Sequence, residues 1–540
     1  MKKSTFQVFT TVGDSSWVCP SGVTFVDVEC WGGGGAGGVT GSVGTYPAGG
    51  GGGGYARKRV TVTPGTTYKV RVGDAGVSIL GSGFGAGTAH AGNSEFLSND
   101  LATTYVRGCG GDSIYNGDGS TTIAGGKGGG ASGAANGSNI GDVTYAGGDG
   151  GSKPSTSTGC GGGGGGAGRN GAGTAGNPAQ TGGSGNGASV LGGPGLYGHG
   201  KGGLGGLGAA ASTVSYPYTG TWGATSGSNR LISSPAMGYG GAAGGFSQRN
   251  SGDKNFGQYG RVTLRWIDPT SLSGPQTLTP DHTTDAPPML VVFESGETAA
   301  DIVCWGGGST NATESHGEGG YDARVFKNGS AFCHALGAKS SDNSTGWVNA
   351  STITGASTGS GDVTTGGGNG GTASGDTGGG GGGGGGTASS GQNATGATGG
   401  GGGSSEGGVG GTGGVKNGAA PTNGAQPGGG AGGQGAFASY NGGGGGGCTL
   451  KNATSILTSD EFELFGARKD CSRYEFSSAY SGSGFATPGN GQFVVKNITG
   501  GGGSTVMPSK AAVVRQAVHR STSWIIGKLR GLKRLEPKAA

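Results

Sequence analysis

The residues able to do chemistry are few, and their spacing argues against catalysis. His90, His199, His282, His316, His334 and His519 form no HExxH pair or other metal-ligand spacing. The eight cysteines (19, 30, 109, 160, 304, 333, 448 and 471) include no CxxC pair. GxGxxG matches recur, but none follows a strand and opens a helix with a ribose-binding acid downstream, and GxxxxGK[ST] is absent. Asp112, Asn116 and Asp118 could hold calcium or simply shape a turn. No carboxylate pattern suggests a glycosidase. What remains is contact chemistry, in two glycine-poor islands. Ser212 to Leu231 holds Tyr216, Tyr218, Trp222 and Arg230; Thr449 to Tyr480 holds Phe462, Arg468 and Tyr474. Tyrosine and tryptophan supply rigid apolar area with a polar handle, and arginine adds donors, so these seven are candidate receptor contacts. The plainer reading has the islands cover an exposed edge or reach into a core.

The segment 509–540 is a different material. From Lys510 onward it carries eight Lys/Arg and one Glu, whereas the whole chain is only +4. Ile525, Leu529 and Leu532 can share a helical stripe with Trp524 beside it, and Lys528, Arg530, Lys533 and Arg534 supply charge. A short helix docking on a partner subunit is the expectation. A membrane-surface or nucleic-acid contact and a disordered basic tail are the alternatives.

The elements that must position these residues start from a repeat. Ser21 to Gly34, SGVTFVDVECWGGG, returns 274 positions later as SGETAADIVCWGGG, from Ser295 to Gly308, with nine of fourteen positions identical. Alternation puts Val26, Val28 and Cys30 on one strand face, and Ala300, Ile302 and Cys304 on the face of its copy. Each strand runs into glycine. After Gly54, Val60 and Val62 alternate, Pro64-Gly65 turns the chain, and Tyr68, Val70 and Val72 alternate again, which predicts a β-hairpin. Tyr321 to Leu336, with a turn at Asn328-Gly329, is its weaker echo, pairing Tyr68 with Phe332. Arg261 to Trp266 and Phe493 to Lys496 close the two halves. These marks predict a glycine-rich β domain at 1–266, a Pro/Thr/Ser linker at 267–287, a diverged repeat at 288–497 and a second linker at 498–508.

Glycine makes up 144 of 540 residues, a composition that without a fixed period signals disorder. The near-neutral charge and the repeated strands argue for order instead. Glycine is poor in helices and strands but can adopt the threefold extended helix of polyproline II. Such helices packed side by side can hydrogen-bond to one another, and only glycine permits the approach. Runs such as Gly378 to Gly386 are therefore expected to form polyglycine II bundles. The N-terminus has no apolar h-region, and no run of about eighteen apolar residues occurs, so synthesis in a cytoplasm is expected, with any exit by virion release.

The stretches FTTVGDSSWVCPSGVTFVDVECWGGGGAGG, GGGGGGYARKRVTVTPGTTYKVRVG and YGRVTLRW resemble the glycine-rich domain of phage tail and fibre proteins. That family includes long-tail-fibre adhesins, whose polyglycine II helices present specificity loops. The resemblance covers nearly all of 1–266; in the second half it survives only in the junction, the hairpin and the closing strand. It implies a mainly β fold: two tandem small antiparallel β-sandwich-like domains with glycine-rich inserts forming polyglycine II helix bundles, plus a short C-terminal helix. It also implies a non-enzymatic virion protein of a tail fibre or spike that recognises the host surface. The partners would be other virion proteins, a polysaccharide or outer-membrane-protein receptor, and further copies of itself, with no cofactor, metal or nucleic acid. A purely architectural component, a head decoration or tail subunit, is the alternative.

Overall fold

A computed structural model describes residues 1–40, 48–79, 88–114, 123–153, 161–169, 171–178, 240–242, 246–247, 254–278, 287–308, 322–338, 360–371, 380–403, 407–412, 422–425, 427–430, 444–465 and 492–499. Among them the secondary structure is β, with no α-helix. The segment 509–540, and with it the expected C-terminal helix, lies outside the described residues.

The first half opens with β1 (Lys2–Phe9), β2 (Gly13–Val18), β3 (Phe25–Trp31) and β4 (Val39–Thr40). It continues with β5 (Tyr55–Thr61), β6 (Thr67–Val72), β7 (Val77–Ile79), β8 (Thr88–Ala89), β9 (Ser94–Ser98) and β10 (Thr104–Gly108). β11 (Val143–Tyr145), β12 (Phe246–Ser247), β13 (Lys254–Phe256) and β14 (Arg261–Ile267) complete it. The second half has β15 (Gln276–Leu278), β16 (Met289–Val292), β17 (Ala299–Trp305) and β18 (Ala323–Lys327). β19 (Ser330–Ala335), β20 (Val363–Thr365), β21 (Cys448–Thr454), β22 (Glu461–Phe465) and β23 (Phe493–Thr499) follow.

Each half assembles a five-strand and a four-strand layer with matching order. In the first, β11-β5-β3-β14-β1 faces β10-β9-β6-β2; in the second, β20-β21-β17-β23-β15 faces β19-β18-β22-β16. The buried side chains of the two layers meet in one apolar cluster per half: Val26, Val28, Cys30, Val70, Phe96 and Leu264 in the first, Ile302, Cys304, Val325, Phe462, Leu464 and Val495 in the second. Fully burying one such side chain is worth roughly 1.5–3 kcal/mol, so alternation decides which face of each strand turns inward. β1 joins the halves. Ser4 to Phe9 pair with β14, and Lys2 and Lys3 pair with Val292 and Val291 of β16, producing a continuous nine-stranded sheet. β15 lies inside the Pro/Thr/Ser stretch, pairs with β23, and buries Leu278.

The junction repeat is matched in three dimensions. β3 and β17 show the same burial pattern. Val28 lies between Lys58 and Leu264, and Ile302 lies between Lys451 and Val495, in the same register. The hairpin expectation is overturned. β5 and β6 are joined by the Pro64-Gly65 turn but pair in different layers, β5 with β3 and β11, β6 with β2 and β9. Their apolar faces look at each other across the core, which satisfies the same alternation as a hairpin would.

The Tyr68–Phe332 equivalence falls too. β18 and β19 do form a hairpin, with Asn328 and Gly329 at φ 52° and 78°. Its place in the layer, however, is that of β9–β10. The counterpart of Tyr68 is Phe462, and that of Phe332 is Tyr105. Both pairs touch edge to face, Tyr68–Tyr105 at 6.2 Å and Phe332–Phe462 at 5.5 Å. A second repeat confirms the assignment. Gly141-Asp142-Val143-Thr144 leads into β11 and Gly361-Asp362-Val363-Thr364 into β20. Asp142 N donates to Arg57 O and Asp362 N to Leu450 O, each at 2.9 Å. The chain therefore visits equivalent places in a different order. The first half runs β5–β6 before β9–β10–β11, whereas the second runs β18–β19–β20 before β21–β22.

Candidate functional site

In the first half glycine leaves the strands at one end, where Gly32, Gly54, Gly73 and Gly260 flank strand ends on the Trp31 side. In the first half Gly49 to Gly54 runs through the middle of these segments. Gly49 and Gly52 donate to Gly151 and Gly148, Gly51 and Gly54 donate to Asp112 and Cys109, and Gly53 donates to Gly240. Its carbonyls accept from Gly126 and Gly129, from Gly164 and Ala167, and from Gly35 and Gly32. Five of these neighbours are met at positions three residues apart, and with the Gly240 segment six segments surround the tract.

The second half repeats this arrangement around Gly380 to Gly386. Gly380 and Gly383 donate to Gly396 and Gln392, Gly381 and Gly384 to Gly411 and Gly408, and Gly385 to Gly446. Gly382 O accepts from Gly430 N, and three residues on Gly385 O accepts from the Trp305 indole at 2.9 Å. Trp31 sits differently: Arg261 lies 3.9 Å from its ring centroid and Arg169 5.4 Å.

Charged side chains fix the lattice to the strands and one half to the other. Glu29, on β3, is buried, and Arg169 of the glycine segment grips it through Nε at 2.6 Å and Nη2 at 2.5 Å, while Tyr55 Oη donates at 2.7 Å. Burial alone would push this carboxyl up, but Arg169 and then Tyr55 outweigh it and hold the pKa at about 2. Between the halves, Arg265 bonds Asp27 at 2.9 Å, Glu463 at 3.1 Å and Pro288 O at 2.8 Å, and Arg59 bridges Asp27 and Glu461. Burial raises the Asp27 carboxyl too, yet Arg265 and Arg59 bring it to about 2.

An open cleft of about 550 Å³ lies on the outer face of β2, β6, β9 and β10, lined by Val12, Arg71, Asp74, Asn93, Leu97, Leu101 and Arg107 among others. Glu95 is buried at its base, with Arg107 Nε at 2.6 Å and Arg71 Nη1 at 3.0 Å; Arg71 also binds Asp14 at 2.7 Å. Sequence reading passed over this group, because each member is an ordinary polar residue of an alternating strand.

Of the seven candidate contacts, Tyr216, Tyr218, Trp222, Arg230, Arg468 and Tyr474 lie outside the described residues. Phe462 is a correction: it is fully buried on β22, against Phe293 and Phe332, and offers nothing to a receptor. Alternation turns it inward with Leu464, the face that sequence alone left undecided. The candidate anchors Trp524, Ile525, Lys528, Leu529, Arg530, Leu532, Lys533 and Arg534 are also outside the described residues. So are Asn116 and Asp118; Asp112 Oδ1 accepts from Ala135 N at 3.0 Å. The described residues nearest the first island are 171–178 and 240–242. There Gly176 donates to Asp149 and Gly240 donates to Tyr259. The second island is in part a correction: residues 449–454 and 461–465 belong to strands β21 and β22, and the described chain resumes at Gln492, whose O accepts from Trp305 N.

Residues 10–267 match a family model described as a glycine-rich domain. A search of curated proteins finds no match to the chain.

Proposed function

We propose that this is a non-enzymatic phage virion protein of a tail fibre or spike that recognises the host surface through its glycine-poor loops. What supports the reading is the order of the described residues nearest the remaining candidates: hydrogen-bonded glycine segments at 171–178 and 240–242 around the first set, and strand β22 ahead of Arg468 and Tyr474. A lattice of glycine has no side chains to read a receptor, so recognition falls to what it displays. In this reading the two halves are tandem β-sandwiches, and their glycine segments are polyglycine II bundles. The threefold repeat of hydrogen-bond partners supports that assignment, since such a helix has three residues per turn. Amides of Gly49 to Gly54 and Gly380 to Gly386 should exchange slowly in native-state hydrogen exchange. Exchange at free-peptide rates in both tracts would remove the bundles.

The functional test is adsorption. Changing Tyr216, Tyr218 and Trp222 to alanine should leave assembly intact and weaken host binding about tenfold for even one true anchor. Arg468 and Tyr474 are the corresponding pair in the second half. Particles carrying both sets of changes that adsorb normally would favour the purely architectural role. The basic segment 509–540 serves here as the anchor to another virion protein. Polar substitutions at Ile525 and Leu529 should then release the protein from the particle without changing its affinity for the host.

A further inference from the structure

The cleft on the outer face of β2, β6, β9 and β10 has a composition that the fold itself does not require. Glu95 holds Arg107 by Nε alone, leaving Nη1 and Nη2 without a hydrogen-bond partner among the described residues. Asn93 spends Oδ1 on Gly110 N, at 2.9 Å, and keeps its amide donors. Asp74 spends Oδ1 on Ala75 N, at 2.8 Å, and keeps its second oxygen. Leu97 supplies a buried apolar wall, and Val12 and Leu101 stand exposed at the rim. Leu101 is the telling residue. Its φ is 62°, a region where glycine is relaxed and a leucine is strained, yet the chain keeps a large apolar side chain there, 44% exposed.

The charges select the ligand class. Arg71 and Arg107 are offset by Glu95 and Asp74 in the lining, and Asp14 adds a further negative charge on Arg71. An anion would meet arginines already neutralised, and a cation would meet only Asp74 with an oxygen to spare. A neutral ring bearing hydroxyls suits both needs: donors and one acceptor for its hydroxyls, and apolar side chains for its C–H face. We infer that this cleft binds a neutral saccharide unit. The inference is separate from the loop reading, because it concerns a described face of the first half and needs no particle.

The test uses the full chain in solution with methyl glycosides of glucose, galactose, mannose and N-acetylglucosamine, and glucuronate as the charged comparison. Saturation-transfer NMR should show contact with at least one neutral glycoside, and titration calorimetry should give a millimolar dissociation constant, the range expected of so open a site. Arg107→Gln should weaken binding by about tenfold or more, as loss of a charge-assisted donor does. Because that variant also removes a partner of Glu95 and could impair folding, Leu101→Gly and Asp74→Asn carry the test independently. Leu101→Gly should melt no lower than the parent, since glycine accepts this φ, while binding weakens about fivefold for the lost apolar contact. No transfer from any neutral glycoside at tens of millimolar, tighter binding of glucuronate, or unchanged affinity in folded Leu101→Gly and Asp74→Asn would each overturn the inference. Glycoside binding that survives loss of adsorption in the loop variants would leave the cleft standing while the two sites are told apart.

Discussion

Gly52→Ala is expected to prevent the first half from folding. A Cβ built on Gly52 would lie 2.1 Å from Gly165 O, 2.5 Å from its carbonyl carbon and 2.9 Å from Gly166 N. All three are backbone atoms of a neighbouring segment, so no side-chain rotation relieves the clash. Gly52 also donates to Gly148 and accepts from Gly129, and moving the tract aside would break both bonds. The cost should exceed about 4 kcal/mol, beyond the usual range for a point change, because overpacking and lost hydrogen bonds combine. Gly382→Ala should do the same in the second half, where Gly368 O lies 2.0 Å from the added carbon. Gly171→Ala is the control: nothing lies within 4 Å of its Cβ, and a compatible glycine replacement should be neutral or stabilise by about 0.4–1 kcal/mol. Urea unfolding of the three variants reads the difference. A Gly52→Ala protein with the midpoint of Gly171→Ala would show that the lattice does not form.

Arg169→Met should destabilise the first half by about 3–5 kcal/mol, the usual consequence of leaving a buried charge without its partner. In the parent, the Glu29 pKa is about 2, below its ordinary 4.5. A depressed carboxylate stabilises the fold fully above about pH 4.5, and that contribution, about 3 kcal/mol, is lost as pH falls through about 2. Asp27, also held at about 2, loses its share over the same acid range. In Arg169→Met the largest opposing influence on Glu29 is gone and burial remains. Its pKa then rises above the unfolded value, so the Glu29 contribution is greatest in acid and is lost as pH increases. Unfolding curves between about pH 2 and 7 should therefore show the gap between parent and variant narrowing toward low pH. Adding Glu29→Gln to Arg169→Met should recover part of the loss, since it removes the stranded charge. A gap that stays constant with pH would mean Glu29 and Arg169 are not coupled.

Some of this architecture is written in local sequence. The alternation in Phe25 to Trp31 and its copy specified two strands and their buried faces, because burying every second side chain depends on nothing beyond the strand itself. The glycine runs signalled close backbone approach, since no other residue lacks a Cβ. The turns at Pro64-Gly65 and Asn328-Gly329 were equally local, and the chain does turn there.

Pairing was not local. Backbone hydrogen bonds carry no record of which strand accepts them, so β5 and β6 could read as a hairpin although they face each other across the core. The exchanged order of the second half is visible in sequence only through Gly-Asp-Val-Thr, too short to weigh until β11 and β20 are seen in matching places. The same limit hid the charged groups. Arg169 meets Glu29 from 140 positions away, and Arg265 meets Glu463 from 198. Arg71, Glu95 and Arg107 become one cluster only when β6, β9 and β10 lie side by side. Local periodicity determined which residues could be buried; the closing of long loops decided what each would touch, because that choice rests on the combined packing of both layers and the glycine segments.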